Sequence, residues 1–174
     1  SVGAISITLI LSIAMFIAML LDRDPNFKQE ASFTWLDMGS FSIELGFLVD
    51  NITVIMLLIV ALISTCSHVF SIKYMAGDIR YSRYFAYLGL FTFSMNGIVL
   101  ANNLISMYMF WELVGVSSYL LIGHWFEKDS AADAAKKAFL TNRVGDIGFF
   151  IGIMLIYTGI GSFTFSHIFD GVAS

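Results

Sequence analysis

Runs of about 20 apolar residues dominate this sequence, and nothing else in it constrains folding as strongly. An α-helix rises 1.5 Å per residue, so about 20 apolar residues cross a 30 Å hydrocarbon layer. The first run, 2–21, is uncharged. The second, 52–72, carries His68 near its far end, with Ser64, Thr65 and Ser67 close by. From residue 84 to residue 124 the only Asp, Glu, Lys or Arg is Glu112. One helix of that length would measure about 60 Å, twice the hydrocarbon thickness. Asn102-Asn103 is the natural break, giving spans 84–101 and 104–124 joined by a tight turn. A fifth run covers 138–158. Charged residues make up 13% of the chain, against about 25% in soluble domains. The expectation is an all-α integral membrane domain of about five transmembrane helices.

The connections carry their own signals. Between residues 22 and 50, Phe33-x-Trp35 and Phe41-x-Ile43-x-Leu45-x-Phe47 alternate around Asp37-Met-Gly-Ser40. That is the period of strands flanking a turn, and it predicts a small β-hairpin outside the membrane. Ser130-x-x-Asp133 resembles a capping box with Asp in place of Glu or Gln, so the last helix is expected to begin near Ala131. It should enter the bilayer around Ala138 and leave near Thr158, before Gly159 and Gly161. The tail, 162–174, is polar to amphipathic and too short to span. With five spans, one side holds two basic residues, Arg23 and Lys28. The other holds Lys73, Arg80, Arg83, Lys128, Lys136 and Lys137, with Arg143 just inside. This bias places the basic loops toward the cytoplasm or matrix and the hairpin on the opposite, proton-rich side.

Other classes are poorly served by the composition. The net charge is −4, and no basic cluster, glycine-rich phosphate loop or zinc-type spacing is present, so no nucleic acid partner is expected. A single cysteine, Cys66, leaves no internal disulfide and no cysteine-ligated iron–sulfur cluster from this chain alone. The abundant aromatic residues suit lipid-facing and interfacial positions without a cofactor. The first apolar run lacks a basic n-region and a small-residue cleavage site, so it does not read as a signal peptide. The chain opens at Ser1, which suggests a processed chain or a piece of a longer one.

The candidate chemistry lies in 107–146, where Glu112 sits in one apolar run and Arg143 and Asp146 in the next. Charge at bilayer depth costs about 2.5–3.5 kcal/mol per residue even on the lenient insertion scale, which makes such groups functional candidates. Glu112 would lie about 12 Å and 18 Å from the two faces, and Asp146 within about 6 Å of the same depth on an antiparallel helix. Arg143 and Asp146 are placed i,i+3, so the two can pair. Lys136 lies two turns before Arg143, at the inner mouth. A buried carboxylic acid whose cationic partner approaches and withdraws binds and releases a proton, and a chain of such groups is a proton relay. The competing reading is a helix-packing network, with Glu112 held neutral by hydrogen bonds and Arg143–Asp146 a satisfied pair. His68, among hydroxyls, is a further candidate able to titrate near neutral pH. His124 beside Trp125 reads as an interfacial anchor. Asn96 and Gly148-x-x-x-Gly152 read as packing devices.

Two long motifs carry a resemblance: Trp111-Glu-Leu-Val-Gly-Val-Ser-Ser-Tyr-Leu-Leu-Ile-Gly-His-Trp125 and Lys137-Ala-Phe-Leu-Thr-Asn-Arg-Val-Gly-Asp146. Shorter segments add to them, among them Gly46-Phe-Leu-Val-Asp50, Ser67-His-Val-Phe-Ser71 and Tyr84-Phe-Ala-Tyr-Leu88. Together they resemble the antiporter-like proton-pumping membrane subunits of respiratory complex I. The resemblance implies that Glu112 is the membrane glutamate beginning the relay. It implies that Arg143 and Asp146 form the Arg-x-x-Asp lining or gating the access route, and that Lys137 is the lysine of a Lys-Ala-Phe motif, with Lys136 an extra cation beside it. The family's partner lysine, its second half and its lateral helix are absent from this sequence, and such subunits carry a preceding span. The chain is therefore expected to be an internal portion of a longer subunit.

The resulting expectation is a subunit of a proton-pumping NADH:quinone oxidoreductase that holds no cofactor itself. FMN, iron–sulfur clusters and quinone are expected in partner subunits of the membrane and peripheral arms. The alternatives are a subunit of a multisubunit cation/proton antiporter, and a structural membrane subunit without its own proton path.

Overall fold

A computed structural model describes residues 2–22, 27–37 and 42–173. The chain runs α1 (Val2–Asp22), β1 (Lys28–Asp37), β2 (Ser42–Asp50), α2 (Asn51–Tyr74), α3 (Tyr81–Leu100), α4 (Leu104–Ile122), α5 (Asp129–Ile160) and α6 (Phe165–Ala173). The helices pack in sequence order, α1 on α2, α2 on α3, α3 on α4 and α4 on α5. Short connections produce that order from α2 to α5, whereas α1 reaches α2 through the β1–β2 hairpin.

Among the described residues four helices, α1, α2, α4 and α5, are long and apolar enough to cross a membrane, and the chain is an integral membrane protein. The 20 residues of α3 suffice in length, but Arg83 and Asn96 dilute its apolar character. The most exposed large side chains include Leu21, Ile52, Phe70, Val144 and Leu155. In water such a surface would be an aggregation hazard; in a bilayer it is the lipid face. Hydroxyls inside the helices turn back onto the preceding turn, as Thr65 does to Ala61 O at 2.7 Å and Ser94 to Leu90 O at 2.7 Å. Where no water is available, that bond satisfies the hydroxyl without a partner from another helix.

The hairpin forms as an antiparallel pair, with Ala31 opposite Phe47, Phe33 opposite Leu45, and an irregularity between Thr34 and Leu36. Arg23, Pro25 and the expected turn residues Met38, Gly39 and Ser40 lie outside the described residues. Asp50 ends β2 and starts α2 in one step, its carboxylate accepting from Thr53 N–H at 2.7 Å.

Asn102-Asn103 breaks the 41-residue run where the sequence places the break, and both side chains are buried. Asn103 caps α4 through Ser106 N–H at 2.7 Å and donates to Glu44 O of the hairpin at 2.7 Å. Asn102 donates to Glu30 Oε1 at 3.2 Å and accepts from Asn103 Nδ2 at 2.8 Å. The break therefore also clamps the hairpin to the end of the bundle. Beyond α5 the chain turns at Gly161, whose φ of 80° suits glycine. It then returns to the same junction, where Leu104 N–H bonds Phe163 O at 3.0 Å and Phe165 N–H bonds Asn102 O at 3.1 Å.

Two local expectations change. The capping box at Ser130 does not form: α5 begins at Asp129 after Lys128, with no side-chain cap, and Asp133 pairs with Lys136 at 3.4 Å instead. Asp133 lies beyond the first turn of α5, and Lys136, three residues on, shares its face. Gly148 and Gly152 face open space rather than another helix; Gly97, by contrast, packs closely against the Phe110 ring. Asn96 is half-buried, and its Oδ1 has no hydrogen-bond partner.

Candidate functional site

α4 and α5 meet along one stripe each. On α4, Tyr108, Trp111, Glu112 and Gly115 follow i, i+3, i+4, i+7 spacing and so share a face. On α5, Arg143, Asp146 and Phe149 face them, and Phe139 lies against Tyr119 one turn further along α4. Arg143 Nη1 forms an ion pair and hydrogen bond with Glu112 Oε2 across the interface. The other carboxylate oxygen of Glu112 accepts from the Tyr108 hydroxyl at 2.7 Å. Asp146 Oδ1 accepts the Trp111 indole N–H at 3.1 Å. The Arg143 guanidinium lies 4.7 Å from the centre of the Phe139 ring, a cation–π arrangement.

The expected Arg143–Asp146 pair is therefore not made. Helical side chains lean toward the N-terminus, so Arg143 leans away from Asp146, which follows it by three residues. A carboxylate on the facing helix is the nearer partner. Asp146 is 5% exposed, whereas the Glu112 and Arg143 side chains keep 20% and 38% of their surface. Only Asp146 is shut in; the ion pair lies at an open edge of the bundle. A cleft of 670 Å³ between α3, α4 and α5 is lined by Asp146, Asn142 and Trp111 among apolar residues. Asp146 is thus reached from that cleft, and Glu112 from the Arg143 side.

The remaining candidates are dispersed. Lys137 is exposed on α5, away from the ion pair, and contributes its carbonyl to the Thr141 hydroxyl at 2.8 Å. Lys136 pairs with Asp133, both exposed, an arrangement worth about 0–1 kcal/mol. His68 is fully buried between α2 and α3, with its ring centre 6.0 Å from that of Phe85. Tyr108 and Trp111 join the site through contacts that composition and apolar runs do not mark. For Tyr108 the signal was its i,i+4 spacing from Glu112; for Trp111 there was none, because its bond crosses between helices.

At the end opposite the hairpin a second polar cluster ties the α2–α3 connection to the α4–α5 connection. Asp78 accepts from Arg80 N–H at 2.7 Å and from the Trp125 indole at 3.0 Å, and lies 3.5 Å from His124 Nε2. Arg80 pairs with Glu127, its guanidinium 4.5 Å from the Phe126 ring centre. His124, expected to be an interfacial anchor, is instead 4% exposed and packs edge-on to Tyr84 and Trp125. The Arg80 N–H, then the Trp125 indole, hold the Asp78 carboxyl below the usual carboxylate value. A depressed folded value means a stabilisation fully present above the unfolded pKa, about 3.9, and lost as pH falls through the folded one. Amide exchange across 76–81, corrected for intrinsic rate, is therefore expected to show this latch intact from pH 8 to about 5. Asp78→Asn should raise exchange throughout that range; unchanged exchange in the variant would show that the carboxylate does not hold the loop.

Among the described residues no group of three or more His, Cys, Asp or Glu side chains is placed to hold a metal ion.

Comparison with known proteins now decides the family. Residues 35–85 match the family model described as NADH-ubiquinone oxidoreductase (complex I), chain 5 N-terminus, and residues 101–173 match NADH:quinone oxidoreductase/Mrp antiporter, TM. Across 94% of the chain it is 45% identical to the chloroplastic NAD(P)H-quinone oxidoreductase subunit 5 of Adiantum capillus-veneris. The chain belongs to this complex I chain 5 family. Chain 5 of the NAD(P)H-quinone oxidoreductase of Synechocystis sp. is 48% identical over 77% of the chain. The chain spans 23% of the Adiantum protein's length and 20% of the Synechocystis one. The fold is shared with a chain of an archaeal membrane-bound sulfane sulfur reductase (TM-score 0.78, 18% identity, covering 96% of this chain and 33% of that one). It is also shared with a chain of the Mrp complex from Dietzia sp. DQ12-45-1b (TM-score 0.72, 20% identity, covering 94% and 17%). The chain 5 relatives are named as subunits of an oxidoreductase, so membrane partners are part of the family's organisation.

Proposed function

We propose that this chain is a proton-translocating membrane subunit of an NADH:quinone oxidoreductase, moving protons through Glu112, Arg143 and Asp146. The observation that carries the reading is the ion pair from Arg143 to Glu112 across α4 and α5, with Tyr108 on the second carboxylate oxygen. Arg143 stabilises the ionised form of Glu112 when close and favours the protonated form when it withdraws. Trp111 orients Asp146 beside the cleft without neutralising it. α3 acts as a fifth span. The connections bearing Arg80 and Lys128, and the start of α5 with Lys136, face the side that supplies protons, and the hairpin faces the side that receives them. FMN, iron–sulfur clusters and quinone belong to partner subunits, including a peripheral arm, and this chain carries no redox centre. Lys137, exposed here, acts only if residues beyond this chain approach it.

The test is proton translocation per NADH oxidised in proteoliposomes holding the whole complex with Glu112→Gln. Loss of translocation in assembled complexes supports the pump, and a normal ratio overturns it. A second reading is favoured by the family description shared with Mrp antiporters: a cation/proton antiporter subunit with no redox drive. Co-purifying flavin and iron–sulfur subunits separate the two readings.

A further inference from the structure

A second line of polar side chains, on the α2–α3 interface, is used by none of the above. Ser64, His68 and Ser71 stand on one face of α2, spaced i, i+4, i+7, and all three are buried. α3 answers with Thr92, Phe85 and Tyr84. Ser64 Oγ and Thr92 Oγ1 are 2.5 Å apart, and Thr92 donates onward to Leu88 O at 3.0 Å. Ser71 Oγ lies 3.3 Å from the Tyr84 hydroxyl. Tyr84 packs edge-on against His124, ring centres 5.4 Å apart, and His124 Nε2 lies 3.5 Å from Asp78 Oδ2.

The tautomer of His68 follows from its bond. Its Nδ1 is 2.8 Å from Ser64 O, and a carbonyl only accepts, so Nδ1 carries the hydrogen. Nε2 is then a bare lone pair, buried with no hydrogen-bond partner in a residue with no exposed surface. A buried acceptor left unmet is costly and calls for an occupant. Around it α3 presents Phe85 and hydroxyls rather than charge. The facing run of α1, 2–21, is uncharged, and the charged side chains nearest in sequence, Lys73 on α2 and Arg83 on α3, are exposed.

The line also opens at one end. A cavity of 160 Å³ at the loop end is lined by His124, Arg83, Tyr87, Tyr119 and Lys136 among others. A water needs about 30 Å³, so the space accommodates several, and its polar lining can hold them. Ser71 is one turn from His68, about 4.5 Å along the axis, a gap that one bridging water closes.

We propose that this line is a proton-uptake path from the loop end into the bundle, with His68 Nε2 as its proton acceptor. A proton passes from the cavity to His124, across the Tyr84 and Ser71 hydroxyls, and onto Nε2; the Nδ1 hydrogen stays on Ser64 O, so His68 becomes a cation beside α3. Nε2 then gives that proton onward into the bundle, which restores the neutral ring and leaves no net change of bonds in His68. The proposal rests on the proton-translocating reading above but uses none of its residues.

His68→Asn discriminates, because the asparagine amide reproduces the Nδ1–H bond to Ser64 O and lacks the titrating nitrogen. The measurements are proton translocation and quinone-coupled NADH turnover in vesicles holding the complete complex, with assembly followed by native gel. His68→Asn is expected to assemble and to lose translocation at least five-fold, and Tyr84→Phe two- to five-fold. The double variant should match His68→Asn alone, because both lie on one path. A purely structural histidine would be replaced by Asn without loss, so normal translocation in assembled His68→Asn overturns the proposal. If that variant fails to assemble, Tyr84→Phe decides: normal translocation overturns the path, and reduced translocation with normal assembly supports it. Glu112→Gln is run alongside. If it stops translocation while the His68 and Tyr84 variants do not, only this inference fails. If it leaves translocation normal, the pump reading fails first.

Discussion

Assembled complexes carrying Glu112→Gln are expected to lose proton translocation at least ten-fold, while NADH oxidation with a soluble acceptor stays normal. Gln keeps the side-chain volume and can still accept from Tyr108, which bonds Glu112 at 2.7 Å. It can neither carry a proton nor hold the Arg143 cation. The ion pair is only partly shut from solvent, at 20% and 38% side-chain exposure, so an interior dielectric overstates its strength. At an effective dielectric of about 20, two unit charges 4 Å apart attract by about 4 kcal/mol. Ten-fold in rate requires about 1.4 kcal/mol of that. Arg143→Met should reproduce most of the loss, because it removes the cation that Glu112 pairs with and leaves only the Tyr108 phenol beside it. Arg143→Lys should recover part, since an ammonium restores the charge without the planar fork or the stacking on Phe139. If Arg143→Met translocates normally while Glu112→Gln does not, Arg143 is packing and Glu112 acts without it.

Gly46→Ala is expected to produce a large structural defect from a single added methyl group. A Cβ there would lie 2.6 Å from the Ala31 backbone oxygen and 2.8 Å from Asn102 Cγ. The first contact belongs to the paired strand, and the second to a side chain fixed by bonds to Glu30 and Asn103. Neither neighbour can turn aside, so the hairpin must part from the helix junction or the strands must separate. Overpacking of this kind costs about 1–3 kcal/mol. The level of assembled complex and its thermal midpoint should both fall. Gly148→Ala, with nothing within 4 Å of the added carbon, should match the parent or gain about 0.5–1 kcal/mol from helix propensity. Equal behaviour of the two variants would mean that the hairpin does not dock as described.

Membrane class, helix positions, the break at Asn102-Asn103 and the hairpin were all legible in the sequence. Each rests on a local cause: the length of an apolar run, a two-residue alternation, or an amide that caps a helix. The short helix α6 was not legible, because its nine residues are held by backbone bonds to a junction distant in sequence. Within the site, the sequence by itself determined which groups are ionisable and that Glu112 and Asp146 lie inside apolar runs. It also set Tyr108 one turn from Glu112. Only the tertiary structure decided the pairing. Whether Arg143 turns to Asp146 on its own helix or to Glu112 on the next depends on how α4 and α5 are rotated against each other. That rotation comes from packing, here Tyr108 and Trp111 against Phe149. The same holds for His68 and His124, whose burial against α3 and Asp78 makes one a closed acceptor and the other part of a loop latch. A sequence assigns charge to each residue; the partner of each charge is a property of which helix faces meet.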